Sequence, residues 1–255
     1  MLKVDREGAV LHVKLNRPDV RNALNDELID ALYQLFSTIS PEIRAVVISG
    51  AGPSFCAGGD LEWMRKAASY TEEQNVGDAM RISKMFSAIR DCAAVTIASV
   101  HGAALGGGSG LVAACDIAIS TEDAKFGFTE VKLGLIPATI SPFVIDKIGK
   151  GHSRALFATG EVFTAQRAMH IGLVQEVVPS AGMSAAVNTK VRAILGSGPQ
   201  AVAGAKRLVN DAPLTAEETA RRLAEARVSD EGQAGISAFL EKKRAPFVVD
   251  VEYGD

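Results

Sequence analysis

The chain has 255 residues, 47% hydrophobic and 22% charged, which is enough to bury one large core with room for a smaller appendage. Its formal net charge of −3 argues against a general nucleic-acid surface, which needs clustered Lys and Arg. Charges at Lys3, Asp5, Arg6 and Glu7 stand where a signal peptide needs an apolar core, and no later run reaches transmembrane length, so a cytoplasmic protein with no membrane partner is expected.

In chain order, Ala9 to Leu15 alternates as a half-buried strand with Ala9, Leu11, Val13 and Leu15 on one face, and Asn16-Arg17-Pro18 stops it. Asn25 is placed to cap a helix whose first turn carries Asp26 and Glu27 and whose apolar face is Leu28, Ala31, Leu32, Leu35, Phe36 and Ile39. Ala45 to Ile48 forms a short apolar strand that runs into a glycine loop ending in Gly58-Gly59-Asp60. Trp63 and Met64 begin a further helix. Thr71 to Gln74 has the form of a capping box for the next one, with Val76, Met80, Met85, Phe86 and Ile89 on its apolar face.

Ala94 to Asp116 is the stretch that proposes an activity. A buried strand containing Val95, Ile97 and Val100 breaks at Gly102 into a turn with three consecutive glycines, Gly106 to Gly108, and small residues then resume as a helix at Leu111 to Ala114. Strand, glycine turn and helix leave unpaired N–H groups at a helix N-terminus, a place that stabilises negative charge. Three common versions of this element do not fit. A nucleophile elbow at Ser109 lacks its second glycine because position 111 is Leu. A Walker loop needs a lysine, and none occurs between Val95 and Glu122. A dinucleotide fingerprint would need its third glycine at Leu111.

Ile117 to Ser120 and Lys125 to Phe128 are short strand candidates, and Ser141-Pro142 reads as a helix N-cap followed by proline at the first helical position. This alternation of strand and helix indicates an α/β domain. After Ser180 the strand signals stop. Pro199 to Val209, a Thr215 to Glu218 capping box and Glu231 to Lys243 predict three helices with little core of their own, expected to pack on a neighbouring subunit. Cys56, Cys92 and Cys115 lack C-x-x-C spacing and are expected as reduced core residues. His12, His101, His152 and His170 are scattered without metal-ligand spacing, so no metal is expected.

Two glycine loops following strands, with an acid downstream, are what an enzyme needs to stabilise an oxyanion and move a proton beside it. Here the sequence resembles the crotonase, or enoyl-CoA hydratase and isomerase, family. The resemblance runs nearly end to end through eight pieces: Asn16-Arg-Pro18, Asn22-Ala-Leu24, Phe55 to Leu61, Gly102 to Gly108, Cys115-Asp-Ile117, Phe126 to Glu130, Gly134-Leu-Ile-Pro137 and Ala238 to Lys242. It implies an α/β fold, a spiral core of ββα turns over 1–195 followed by a C-terminal helical region over 196–255 that assembles trimers or a dimer of trimers.

The resemblance also implies a thioester enolate held by the N–H groups of Gly59 and Gly107. Of the two glutamates used by hydratases, the second maps to Glu130 and the first falls at Gly110, which cannot ionise. The extra carboxylate of family dienoyl isomerases would fall near Ala138. Two enzymatic readings stay open. One is hydration of a 2-enoyl-CoA with Glu130 doing both proton transfers, and the other is Δ3,Δ2-enoyl-CoA isomerisation, which needs one acid-base group. RNA binding, a third reading, is disfavoured by the acidic composition.

Within the family, Glu130 to Ile145, Gly107 to Leu111 and Asp60 to Met64 look most like bacterial methylglutaconyl-CoA hydratases and relatives acting on isoprenoid glutaconyl-CoA esters, whose substrates bear a distal carboxylate that the Ser141-Pro142 helix start could receive. For the acyl-CoA itself, the groove maps to Val20, Arg21, Ala57, Asp60 and Leu61. The family's lysine at the start of this groove is Asp19 here, and Arg21 is the candidate replacement. Phe239 and Lys242 match positions that reach a neighbouring subunit's CoA. Coenzyme A belongs to the substrate, and no separate cofactor is expected.

Overall fold

The computed structural model describes residues 1–250. The first two strands, β1 (Leu2–Glu7) and β2 (Val10–Leu15), form an antiparallel pair, and β3 (Ala45–Gly50) joins β2 in parallel after the helix α1 (Asp26–Ser37). Helices α2 (Leu61–Ala67) and α3 (Glu72–Asp91) lead to β4 (Val95–Val100), the short β5 (Ala103–Leu105) and α4 (Gly107–Ala114). Next come β6 (Ile117–Thr121), β7 (Lys125–Gly127), α5 (Ser141–Thr159), β8 (Val162–Thr164), α6 (Ala165–His170) and β9 (Glu176–Val178). Four helices complete the described chain: α7 (Met183–Leu195), α8 (Pro199–Asn210), α9 (Ala216–Val228) and α10 (Asp230–Leu240).

Six strands form one sheet in the order β1-β2-β3-β4-β6-β9, parallel from β2 onward, and β5, β7 and β8 form a second, smaller sheet. Each pair β4/β5 and β6/β7 puts its first strand in the large sheet and its second in the small one before a helix returns the chain. Successive ββα turns are thereby stacked, as a crotonase-like spiral requires.

Burial explains which strands read clearly. Leu11, Val13 and Leu15 face the main core while Val10 faces the other side of the sheet, where it meets Val47, Ile97 and Ile119 under α7. Strands β3 and β4 are buried on both faces, so they read as continuous apolar runs rather than alternating ones. The α7 cover comes from Val187, Val191, Ile194 and Leu195, a helical spacing that the sequence reading passed over.

Caps account for most helix starts. Asn25 accepts from Leu28 N–H, and Thr71 with Gln74 and Thr215 with Glu218 form complete capping boxes. Two expectations fail. Ser141 is not a cap: Ile140 occupies that position, and the Ser141 hydroxyl donates back to Ala138 O at 2.9 Å. On α3, Met85, Phe86 and Ile89 are buried as expected, but Val76 and Met80 lie on the half of the helix that overhangs the core and are exposed.

The three C-terminal helices bury almost nothing within this chain, Ala238 alone counting as buried. Apart from Val202 on α8, which packs against the cluster under the large sheet, their attachment is polar. Lys206 on α8 pairs with Asp116 at 2.7 Å and donates to the carbonyls of Cys92 and Ala94, while Asp116 also accepts from Thr96 N–H and Oγ1. All three cysteines are buried and unpaired, and burial pushes the Cys56 and Cys115 thiols up to about 12.

Helix α4 is the most enclosed element: every residue from Gly108 to Ala114 is buried. A methyl group built on Gly108 would stand 2.2 Å from Cys56 O, so only glycine lets α4 lie against the preceding loop. Gly108→Ala is therefore expected to lower stability by about 1–3 kcal/mol, the usual result of overpacking a close contact. Urea unfolding monitored by circular dichroism checks this.

Candidate active site

Two glycine loops lie side by side. Cys56 N–H donates to Ala103 O and Leu105 N–H donates to Cys56 O, both at 3.0 Å, so the loop after β3 runs parallel to β5 and the loop that opens α4. On its other side the first loop pairs with Leu24. Leu24 N–H donates to Gly58 O at 2.7 Å, and Asp60 N–H donates to Leu24 O at 2.9 Å. In a parallel bridge, the residue between two such bonds turns its own N–H away from the partner strand.

Gly59 is that residue, and among the described residues its N–H meets no backbone acceptor. Gly107 reaches the same condition by another route. It is the first residue of α4, where an N–H has no intrahelical partner, and the preceding Gly106 N–H is taken by Gly127 O at 2.8 Å. Gly59 and Gly107 are both partly exposed, whereas Gly58, Gly106 and Gly108 are buried.

Glu130 stands beside this pair. It opens a short 3-10 turn after Phe128-Thr129, and its Oε1 lies 3.2 Å from where a methyl group on Gly106 would be. Its Oε2 is buried without a hydrogen-bond partner among the described residues. Burial pushes this carboxyl above its ordinary value of 4.5, opposed only by its own backbone N–H. Two free N–H groups can receive negative charge developing on a carbonyl oxygen, and a desolvated carboxyl next to them can take up and return a proton. The Ser109 hydroxyl is committed elsewhere, donating to Ala104 O at 2.7 Å and accepting from Gly127 N–H at 3.3 Å, which stitches α4 to β5 and β7.

Gly110 faces away from any free space. A methyl group on it would fall 2.3 Å from Ile140 Cγ2 and 3.0 Å from Phe86 Cζ, and both of those side chains are buried. Apolar packing thus occupies the volume that a side chain at position 110 would need.

Of the other predicted residues, Ala57 is half-buried and its N–H donates to Arg21 O at 3.0 Å, which brings the Val20–Arg21 turn next to the first loop. Val20 and Arg21 are exposed, and Leu61 is 74% exposed at the start of α2. Asp60 differs from expectation: its carboxylate is turned inward, Oδ2 to Arg17 at 2.8 Å and Oδ1 to the N–H groups of Glu62 and Trp63. Phe239 and Lys242 lie at the end of α10, which packs on α8 and α9, and Phe239 is 82% exposed.

Three neighbours of the site were read in the sequence only as helix or motif residues, without a role at the site. Trp63 Cζ3 and Met64 Sδ stand 3.4 and 3.5 Å from a methyl position on Gly59, and Leu24 Cδ1 stands 2.7 Å from one on Gly107. The available signal was spacing: Trp63 and Met64 fall three and four residues after the Asp60 cap, one helical turn on and back over the loop.

The family model described as enoyl-CoA hydratase/isomerase matches residues 5–249. The chain is 32% identical to a crotonyl-CoA hydratase of Syntrophomonas wolfei over 259 aligned residues, covering 97% of each sequence. Its fold superposes on an enoyl-CoA hydratase crystal structure from Shewanella pealeana with a TM-score of 0.92 at 35% identity, covering 96% of this chain and 95% of that one. For Pseudomonas aeruginosa AtuE the TM-score is 0.94 at 31% identity, with 97% and 99% covered. With a family model spanning nearly its whole length, and with two glycine loops, a spiral of ββα turns and a desolvated glutamate arranged as described, the chain belongs to the enoyl-CoA hydratase/isomerase family.

Proposed function

We propose that the protein is a lyase that adds water to a 2-enoyl-CoA thioester, with Glu130 activating the water and returning a proton to the α-carbon. Gly59 and Gly107 N–H hold the thioester oxygen as it becomes an enolate. The observation that carries this reading is the Glu130 carboxyl beside the start of α4, whose Oε2 is buried without a partner among the described residues. Coenzyme A enters as part of the substrate, along the Val20, Arg21, Ala57 and Leu61 surface. The acyl group proposed is 3-methylglutaconyl, a substrate of leucine and isoprenoid breakdown, and its support is the resemblance in Glu130 to Ile145 and Asp60 to Met64. The cytoplasm is the proposed location.

A second reading, Δ3,Δ2-enoyl-CoA isomerisation, is favoured by one specific contact. Ile140 and Phe86 fill the space at Gly110, and the Asp60 carboxylate is bonded to Arg17, leaving Glu130 as the acid-base candidate next to the glycine loops. Isomerisation needs only one group to move a proton between two carbons. Purified protein assayed on 3-methylglutaconyl-CoA, crotonyl-CoA and a 3-enoyl-CoA separates the readings. Hydration of 3-methylglutaconyl-CoA above the other two is expected, and turnover confined to the 3-enoyl ester would replace hydratase with isomerase.

Glu130→Gln keeps the shape of the side chain and removes its proton chemistry, so the chemical step is expected to fall by roughly a hundredfold or more. In the wild type the acidic limb of the kcat/KM profile should lie above the ordinary carboxylate value, because burial favours the neutral form. Stability moves in the opposite sense. A carboxyl whose pKa is raised on folding supplies stability below its unfolded pKa that is lost as pH rises through the folded value. At neutral pH Glu130→Gln should therefore be at least as stable as the wild type. A drop in thermal midpoint with unchanged turnover per folded subunit would assign Glu130 a purely structural role.

The assembly proposed is a trimer or a dimer of trimers, built through the apolar surface of the last helices. Val209, Val228, Phe239 and Leu240 are each more than two-thirds exposed, an arrangement a neighbouring subunit would cover. Light scattering at micromolar concentration is expected to give a mass divisible by three protomers, and a monomer would contradict it.

A further inference from the structure

We infer that the Arg17–Asp60 ion pair is a positioning device for the Gly59 N–H, an inference that rests on reading Gly59 as an oxyanion donor. Both side chains are nearly enclosed, 15% and 8% exposed, with Arg17 Nη2 at 2.8 Å from Asp60 Oδ2. The second guanidinium nitrogen, Nη1, donates to Ala23 O. Ala23 precedes Leu24, and Leu24 bonds the peptides on both sides of Gly59, through Gly58 O and Asp60 N–H. The connections therefore close a ring, from Arg17 to Ala23, along the chain to Leu24, across to Asp60 and back to Arg17. Gly59 hangs from that ring at its edge.

Asp60 fastens the chain on the C-terminal side of Gly59. Its Oδ1 accepts from Glu62 N–H at 2.9 Å and Trp63 N–H at 3.2 Å, which fixes the first turn of α2 and sets Trp63 and Met64 against Gly59. Burial alone would raise this carboxyl, yet the bonds from Arg17 and the α2 amides hold it below its ordinary value, so the pair stays ionised. The turn that carries Arg17 is itself pinned. Arg17 N–H donates to Asn22 Oδ1, and Asn22 Nδ2 donates to Ala51 O and Ser54 O, all at 2.8 Å.

The ring also touches the second donor. Leu24 Cδ1 packs where a side chain at Gly107 would stand, so the residue that brackets Gly59 also presses on Gly107. An ion pair kept only for stability would have no reason to enclose a peptide whose N–H meets no backbone acceptor among the described residues. Arg suits this task because its planar fork reaches a carboxylate and a carbonyl at once, which a lysine ammonium does not match in geometry. Displacing a reacting group by about 1 Å can cost two orders of magnitude in rate.

The test uses the full-length protein with crotonyl-CoA carrying carbon-13 at the thioester carbonyl. Infrared difference spectroscopy reads the downshift of that carbonyl stretch on binding, which reports the hydrogen bonds it receives. Trp63, the single tryptophan of the chain, provides a fluorescence reading of binding next to Gly59. In Asp60→Asn and Arg17→Met the downshift is expected to shrink and kcat to fall roughly 10- to 100-fold, with KM and the fluorescence titration within a few-fold of wild type. Arg17→Lys, which restores the charge without the fork, should recover part of both effects, and it carries the test alone should Asp60→Asn fail to fold. A wild-type downshift and kcat per folded subunit in Asp60→Asn and Arg17→Lys, with only the thermal midpoint lowered, would overturn the inference. No downshift in the wild type would instead overturn the underlying reading of Gly59, and the inference with it.

Discussion

The site depends on how closely α4 approaches the loop after β3. A helix normally keeps its neighbours at side-chain distance, but Gly108 lies against Cys56 O with no room for a methyl group. That contact aligns the parallel bridge between Cys56 and Ala104 and brings the first N–H of α4 beside the Gly58-Gly59 peptide. The small sheet β5-β7-β8 then sets Glu130 at the same spot, because β7 pairs with β5 and the chain leaves β7 directly into Phe128-Thr129-Glu130. Two donors and one acid converge because three chain segments share these two short parallel registers.

Placing a carboxyl there works against folding. Glu130 loses solvent without gaining a partner for Oε2 among the described residues, and further along α4 the packing at Gly110 is apolar, from Ile140 and Phe86. Enzymes tolerate such a group because the same desolvation tunes it for proton transfer near neutral pH. The contrast with Asp60 is instructive. That carboxylate is more buried, but it is fully bonded and held in its charged form. Two acids separated by one glycine loop thus have opposite electrostatic fates, set by whether a cation and amides are supplied.

The C-terminal helices follow a different logic from the spiral. Helix α7 covers the outer face of the large sheet with aliphatic side chains, whereas α8 is held by Lys206 reaching Asp116 and the carbonyls ending α3, and α9 and α10 leave large apolar groups in solvent. Polar tethers and the single Val202 contact fix direction while burying little area, which leaves the apolar faces of α9 and α10 available to another surface.

Much of this was legible in the residues. Caps at Asn25, Thr71 and Thr215 are local: each side chain bonds an amide three residues away, so the pattern is complete within one turn. The buried runs of β3 and β4 and the glycine loops after strands are likewise local signals. The strands β5, β8 and β9 were not read: three residues carry no period and their pairing partners lie twenty or more positions distant, limits that the equally short β7 shares although its position was anticipated. Ser141-Pro142 misled for a related reason, since proline at the start of a helix reports the turn but not which preceding residue caps it. At the site, the identities of Gly59, Gly107 and Glu130 followed from a family resemblance in the letters. The inward turn of Asp60 onto Arg17, the closure of Gly110 by Ile140 and Phe86, and the desolvation of Glu130 are contacts between segments far apart in the chain, and only tertiary packing decided them.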